Sequence, residues 1–186
     1  MLEISYLSIL LFISAAYLTV RAAVWIKNKG INARRELVLL LAYICVAVVA
    51  RLTLFPLARV DGRIAPLIFD ASKTLPPRVN FVPFVHLFDY KYIRTAILNI
   101  LGNTLMFVPI GFFWPMLFKE LSTPIRAIAA GLGFSFCIET VQLAFFERVS
   151  DVDDLILNTL GFAIGYTAFR IVLNLYGKRK AKIKQE

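Results

Sequence analysis

The chain has 186 residues, of which 59% are hydrophobic and only 18% are charged, and its mean hydropathy is +0.73. A typical soluble domain is about half apolar and about a quarter charged, so this composition excludes a disordered tail, a disulfide-stapled secreted module and an ordinary water-soluble enzyme. The net charge of +9 would indicate a nucleic-acid partner in a soluble protein, but here the basic residues lie between apolar stretches. We therefore expect membrane lipids, and no nucleic acid, as partners.

Apolar stretches of about 20 residues are long enough to cross the hydrocarbon core of a bilayer as helices. The sequence contains five such stretches, at residues 4–26, 36–57, 94–118, 124–146 and 155–176. We predict an all-α integral membrane protein, with residues 1–186 forming a single domain, a bundle of about five transmembrane helices.

Local signals refine three of these spans. The first is predicted to be a retained helix and not a cleavable signal peptide, because no Lys or Arg precedes it and Glu3 lies there instead. The third carries Pro109 and Pro115, so we expect it to be kinked or locally unwound. The fifth follows the acidic residues of 151–154, which favour a helix N-terminus.

The second loop, residues 58–93, is long for a simple connection. Its second half, residues 80–92, is rich in Phe and Tyr with scattered polar groups, a composition that suits the head-group boundary of a bilayer. The segment is predicted to form an interfacial helix, a re-entrant segment or a cap over the bundle, or else an aromatic belt that only anchors the protein.

The distribution of Lys and Arg predicts the orientation of the chain. The first loop, the third loop and the C-terminal tail lie on one side of the alternating spans, and together they carry more basic residues than the loops on the other side. This bias predicts an N-terminus outside the cell and a C-terminus in the cytoplasm.

Polar residues inside the spans are costly, at about 2.5–3.5 kcal/mol for a charge at a helix centre, so their positions are informative. Because neighbouring spans are antiparallel, one set of intramembrane polar residues falls entirely on one side of the bilayer, which is the outer side on the predicted topology; the other halves of the spans are nearly free of charge apart from Arg residues near their ends. This set contains Arg51, Asn99, Asn103, Glu139, Gln142 and Asn158.

Helical spacing groups these residues further. Asn99 and Asn103 are four apart, and Glu139 and Gln142 are three apart, so each pair shares a helix face. Asp151, Asp154 and Asn158 form a third stripe. Glu139 needs a partner or a proton; the nearby cations are Arg51 and Arg148, and we favour Arg51. The stripes are interpreted as one outer polar site, with hydrogen bonding between helices as the structural alternative.

Small residues predict close helix packing. Gly161 and Gly165 form a GxxxG face on the fifth span, which allows a neighbouring helix to approach closely.

Several ordered motifs resemble the VanZ-like family of membrane proteins. They are residues 80–84 (NFVPF), 99–112 (NILGNTLMFVPIGF), 135–142 (SFCIETVQ) and 148–161 (RVSDVDDLILNTLG). The resemblance implies a bacterial plasma-membrane protein that gives low-level resistance to teicoplanin. This lipoglycopeptide antibiotic binds the D-Ala-D-Ala end of cell-wall precursors and carries an acyl tail near the outer membrane surface.

Three function hypotheses follow. The first is a non-enzymatic protein that binds the lipoglycopeptide antibiotic or alters access to its target, a lipid-linked cell-wall precursor. The second is an enzyme that modifies a cell-wall lipid, a lipid-linked precursor or a surface glycolipid, with Glu139 as general acid or base. The third, ranked last, is a transporter or channel. Of these hypotheses, we favour a protein that is not an enzyme.

No cofactor is expected. Asp151, Asp153 and Asp154 are weak candidates for holding Mg²⁺, and a solvated helix cap is the preferred interpretation. The full candidate site consists of Arg51, Asn80, Asn99, Asn103, Glu139, Gln142, Arg148, Asp151, Asp153, Asp154 and Asn158.

Overall fold

Five α-helices dominate the computed structural model of the chain, which describes residues 2–55, 59–60, 62–69, 78–84, 93–145 and 148–183. All five are long and apolar enough to cross a membrane, which confirms the predicted all-α membrane bundle. The helices are α1 (Tyr6–Asn28), α2 (Ala33–Leu54), α3 (Ile93–Leu117), α4 (Pro124–Gln142) and α5 (Val152–Ile183).

Short strands and one 3₁₀ turn complete the described elements. The strands are β1 (Leu2–Ile4), β2 (Arg59–Val60), β3 (Arg63–Ile64), β4 (Leu67–Phe69), β5 (Val79–Asn80) and β6 (Ser150–Asp151), and the 3₁₀ turn is Lys119–Ser122. β1 pairs antiparallel with β4, β2 pairs antiparallel with β3, and β5 pairs parallel with β6.

The helix ends differ from the predicted spans by a few residues. α1 starts at Tyr6, because the Ser5 hydroxyl caps it by accepting a hydrogen bond of 3.1 Å from the backbone N–H of Ser8. α4 ends at Gln142, and the residues that follow close tighter turns, such as the 3.0 Å bond from the N–H of Phe145 to the carbonyl of Gln142. Residue 146, the predicted end, lies outside the described residues.

The fifth helix is longer than its predicted span. α5 continues to Ile183, seven residues beyond the predicted end at 176. The added residues are mostly Lys, Arg and Ala, which are good helix formers, and cations are favourable at a helix C-terminus. The hydropathy pattern marks only the apolar part of this helix.

The third helix runs without interruption through Pro109 and Pro115. The predicted local unwinding is therefore not found in this described helix. Each proline removes only one backbone donor, and neighbouring helices support such residues within membrane bundles.

The core of the bundle lies where α3, α4 and α5 meet. α3 packs along α5 more extensively than any other pair of described elements. The fully buried members of the main cluster are Val49, Phe107, Ile110, Ala127 and Phe162. This packing brings the start of α3, the end of α4 and the start of α5 to one end of the bundle, together with the end of α2. We call this the site end. The opposite end carries Arg34 and Arg35 at the start of α2 and Lys119 after α3, and we call it the basic end.

Candidate functional site

The N-terminus of α5 is capped by its own acidic residues. The Asp151 carboxylate accepts a 2.9 Å hydrogen bond from the backbone N–H of Asp153, in the position of a helix N-cap. Asp153 and Asp154 lie in the first turn, where the helix dipole favours negative charge. The structure confirms the predicted acidic helix N-terminus, but α5 begins at Val152, three residues before the predicted span, so Asp153 and Asp154 lie within the helix at the site end.

The segment 78–84 docks onto this N-terminus. The Ser150 N–H donates to the carbonyl of Arg78 at 3.0 Å, and the Asn80 amide donates to Asp151 Oδ1 at 3.1 Å. The Phe84 N–H donates to Asp153 Oδ1 at 2.7 Å, although Phe84 has a φ of 61°, a left-handed conformation that is costly for a side chain of this size. The first part of the predicted aromatic segment is thus a strand and a turn that cover the start of α5. Residues 85–92 lie outside the described residues.

The predicted pair Asn99 and Asn103 does share a face of α3. The Asn103 amide donates to Asn99 Oδ1 at 3.3 Å and also to the carboxylate of Asp154. This interhelical bond joins α3 to the first turn of α5, so two of the predicted polar stripes are in direct contact.

The polar face of α4 is buried. The backbone N–H of Asp151 donates to Glu139 Oε2 at 3.0 Å, and the Gln142 amide donates to the carbonyl of Thr53 at 2.7 Å. The Asn158 amide donates to Ser135 Oγ at 3.0 Å. Glu139 and Gln142 are each 5% exposed and Asn158 is 1% exposed. The α4 side chains of Glu139, Gln142 and Ser135 therefore bind the loop before α5, the end of α2 and α5 itself, respectively.

The two arginines contact the end of α2. Arg148 Nε donates to the carbonyl of Leu54 at 2.9 Å, and Arg51 Nη1 donates to the carbonyl of Phe55 at 3.3 Å. The Arg51 guanidinium also lies 5.7 Å from the centre of the Tyr6 ring, a cation–π distance. Both arginines satisfy carbonyls at a helix C-terminus, as basic side chains often do.

The predicted partner of Glu139 needs correction. Among the described residues, its carboxylate accepts a hydrogen bond from the backbone N–H of Asp151, and not from Arg51. The physical reason is that the loop carrying residues 148–151 folds back over α4 and brings its own donor to the carboxylate.

A cavity of about 420 Å³ opens among these groups at the site end. Its polar lining combines amide, guanidinium and carboxylate groups, and its apolar lining comes from α2 and α3. The lining residues are Leu52, Thr53, Thr95, Leu98, Asn99, Gly102, Asn103, Met106, Gln142, Arg148 and Asp154.

One wall of the cavity carries a buried acceptor that lacks a donor. Gln142 Oε1 has no hydrogen-bond partner among the described residues, although the amide nitrogen of the same side chain is bound to Thr53. An unpaired buried carbonyl costs about 1–3 kcal/mol, so a donor from a ligand or water is favoured there.

The acidic residues do not converge as metal ligands do. The carboxylates of Asp151, Asp153 and Asp154 are directed to Asn80, the N–H of Phe84 and Asn103 respectively. Within the described ranges, no group of three or more His, Cys, Asp or Glu side chains is arranged to hold a metal ion.

The structure thus sorts the predicted site residues into three places. Asn99, Asn103, Gln142, Arg148 and Asp154 line the cavity. The residues that join the 78–84 segment, α4 and α5 beside it are Asn80, Glu139, Asp151 and Asp153. Asn158 lies deeper, bonded to Ser135, and Arg51 lies beside Tyr6.

Sequence reasoning missed several groups that shape the site. Ser135 lies four residues before Glu139 on the same face of α4, and that spacing was a usable signal. Gly102 lies three residues after Asn99, so it too shares the polar face. Leu52, Leu98 and Met106 carry no signal, because an apolar residue in an apolar span looks the same whether it faces lipid or a cavity.

Comparison with known proteins gives one family. The sequence model of the VanZ/LLP1 family matches residues 39–173, which include every residue that lines the cavity. No curated protein and no solved structure gives a significant match.

Proposed function

This chain belongs to the VanZ/LLP1 family and has the helices of a multi-pass membrane protein, and from this we propose that it lowers the action of lipoglycopeptide antibiotics such as teicoplanin. It does so at the outer leaflet of the bacterial plasma membrane, without covalent chemistry. The site-end cavity binds the antibiotic or limits its access to the lipid-linked cell-wall precursor that it targets.

The cavity is the observation that carries this proposal. A lipoglycopeptide presents an acyl tail, amide groups and carboxylates, and the cavity offers a matching surface to each. Leu52, Leu98 and Met106 provide apolar contact for a tail, and the Arg148 guanidinium is suited to a carboxylate. The unpaired Gln142 Oε1 accepts from an amide N–H.

The same lining fits a lipid-linked precursor, because that molecule also combines a lipid with a peptide that ends in a carboxylate. Binding the precursor reduces the amount of target that the antibiotic reaches. Both forms of the proposal use the same cavity, and the form in which the cavity holds the acyl tail of the antibiotic predicts a stronger effect on lipidated glycopeptides than on vancomycin.

The enzymatic alternative with Glu139 as acid or base has weaker support. The Glu139 carboxylate accepts from the N–H of Asp151, and Glu139 is not among the residues that line the cavity. An acid–base group must reach the proton that it moves, within about 2.6–3.2 Å or through one water. Its contacts support a role in positioning the loop.

Filling the cavity tests the proposal. Gly102 lines the cavity, and a Cβ atom built there meets nothing within 4 Å, so we expect Gly102→Leu to be tolerated and to fill part of the cavity. In a sensitive Gram-positive host, we expect the wild-type chain to raise the minimum inhibitory concentration of teicoplanin and to leave that of vancomycin unchanged. Gly102→Leu is expected to return the teicoplanin value to that of the empty vector.

Gly133→Leu is the matched control. Gly133 is also an exposed helical glycine with open space around its Cβ position, but it lies on α4 away from the cavity. Both variants are compared at equal membrane expression. If Gly102→Leu keeps full teicoplanin protection, or if a well-expressed wild type gives none, the proposal is wrong.

A further inference from the structure

An apolar groove lies at the basic end of the bundle, remote from the cavity just described. It has a volume of about 580 Å³ and lies between α1, α2, α3 and α4. The residues that line it are Tyr17, Leu39, Ala42, Tyr43, Val46, Trp114, Leu117, Phe118, Glu120, Leu121 and Ala130.

The wall of this groove is ordered by ring and hydroxyl contacts. Tyr17 of α1 stacks on Tyr43 of α2 with 4.7 Å between ring centres, and Ser14 Oγ is 2.5 Å from the Tyr43 hydroxyl. The Ser14 contact occupies the hydroxyl of Tyr43, and both tyrosines line the groove. Its surface is therefore suited to a hydrocarbon chain and not to a polar molecule.

A second hollow adjoins the groove at the basic end. Leu117 and Glu120 line both, so the two are adjacent. The second hollow has a volume of about 530 Å³ and is lined by Arg34 and Arg35 at the start of α2 and by Lys119 after α3. The lining therefore contains three cationic side chains and one carboxylate, that of Glu120.

These three cations are available to a ligand. All three side chains are exposed, and in the described part of the chain the ion pair that joins α1 to α2 uses Arg21 and Glu36 instead. Basic pockets between transmembrane helices bind anionic lipid head groups. An apolar groove that leads into a cationic hollow matches an acyl chain that leads to a phosphate.

We propose that the groove and the hollow together form a binding site for one anionic phospholipid. The acyl chain lies against Tyr17, Tyr43 and Trp114, and the phosphate binds Arg34, Arg35 and Lys119. This site is independent of the proposed function, because it lies at the opposite end of the bundle and shares no residue with the cavity.

The test uses the full chain in nanodiscs that contain equal amounts of phosphatidylglycerol and phosphatidylcholine, with bound lipid measured by native mass spectrometry after release. We expect phosphatidylglycerol to be retained in preference to phosphatidylcholine. The triple variant Arg34→Gln, Arg35→Gln, Lys119→Gln is expected to lower phosphatidylglycerol retention by about tenfold or more.

The matched charge control is Lys178→Gln, Arg179→Gln, Lys180→Gln. It removes the same charge from the exposed C-terminal part of α5, outside the hollow, and is expected to change retention by less than about twofold. An equal loss in both triple variants would mean general attraction to the basic surface, and it would overturn the proposal.

A second pair of variants tests the groove itself. Ala130→Phe fills the groove and is expected to lower lipid retention, whereas Ala129→Phe places the same ring on the neighbouring residue, which does not line the groove. Equal retention in these two variants, or equal retention of the two lipids by the wild type, overturns the proposal. If the charge triple aggregates, Lys119→Gln alone replaces it, with an expected loss of about threefold to fivefold.

Discussion

Asn103 satisfies two helices with one side-chain amide, because it donates to Asn99 on its own helix and to Asp154 on α5. Glu139 accepts a hydrogen bond from the loop before α5, Gln142 donates one to the end of α2, and Asn158 donates one to Ser135 in the core. Polar groups in a membrane are tolerated where they satisfy one another away from lipid. At the scale of single residues, the polar stripes are hydrogen-bonded connections between helices, and only some of them also face the cavity.

Glu139 allows a sharp test of its role. We expect Glu139→Gln to keep most of the teicoplanin effect and of the thermal stability, because the Gln carbonyl still accepts from the N–H of Asp151. Glu139→Leu removes the acceptor and is expected to lower the free energy of unfolding by about 1–3 kcal/mol. Thermal unfolding in detergent measures the stability, and antibiotic susceptibility measures the function. Complete loss of function in well-folded Glu139→Gln would instead favour the acid–base alternative.

At the scale of elements, the closest helix packing is between α3 and α5, and glycine makes it possible. A Cβ atom built at Gly161 would lie 2.0 Å from the carbonyl oxygen of Thr104, and one at Gly165 would lie 2.0 Å from that of Val108. The predicted GxxxG face is therefore confirmed as a contact surface, and α3 is the helix that packs on it. This close approach places Asn103 next to Asp154.

A single methyl group at this contact is expected to be destabilising. Gly165→Ala forces backbone atoms of α3 and α5 apart, and we expect it to lower the free energy of unfolding by about 1–3 kcal/mol, as overpacking does. The effect is read from the thermal unfolding midpoint in detergent. Gly133→Ala is the control, since its Cβ meets nothing within 4 Å and alanine favours the helix. Equal midpoints for the two variants would contradict the packing argument.

At the scale of the whole molecule, the two ends of the bundle differ in chemistry. The site end carries the amide and carboxylate cavity, and the basic end carries the cationic hollow, the Arg21–Glu36 ion pair and the C-terminal cations of α5. The positive-inside rule predicts that the basic end is cytoplasmic and that the cavity opens outside the cell.

Cysteine labelling tests this orientation. With Cys45 and Cys137 replaced by Ala, we expect Val149→Cys to react with a membrane-impermeant maleimide in intact cells, because Val149 is 49% exposed at the site end. Lys180→Cys is expected to react only after the membrane is permeabilised. Labelling of Lys180→Cys from outside intact cells would show that the topology is the reverse of the predicted one and that the cavity does not open at the outer leaflet.

The sequence by itself determined the class of the protein, its five spans and the end of the bundle at which Asn99, Asn103, Glu139, Gln142 and Asn158 lie. These follow from hydropathy, helical spacing and the alternation of spans, which are properties of neighbouring residues in the chain. It also predicted that acidic residues lie at the N-terminus of α5, since acidic residues near the start of an apolar run are a local signal. Where the sequence signal was composition alone, as at the ends of α4 and α5, the predicted boundaries were wrong by a few residues.

Only the tertiary structure decided which groups meet. The bond from Asn80 to Asp151 joins positions 71 residues apart, and the partner of Glu139 came from a loop and not from Arg51. The cavity depends on how each helix is rotated about its axis and on how closely Gly161 and Gly165 let α3 approach α5. These are relations between distant segments, and a pattern read along one segment does not contain them.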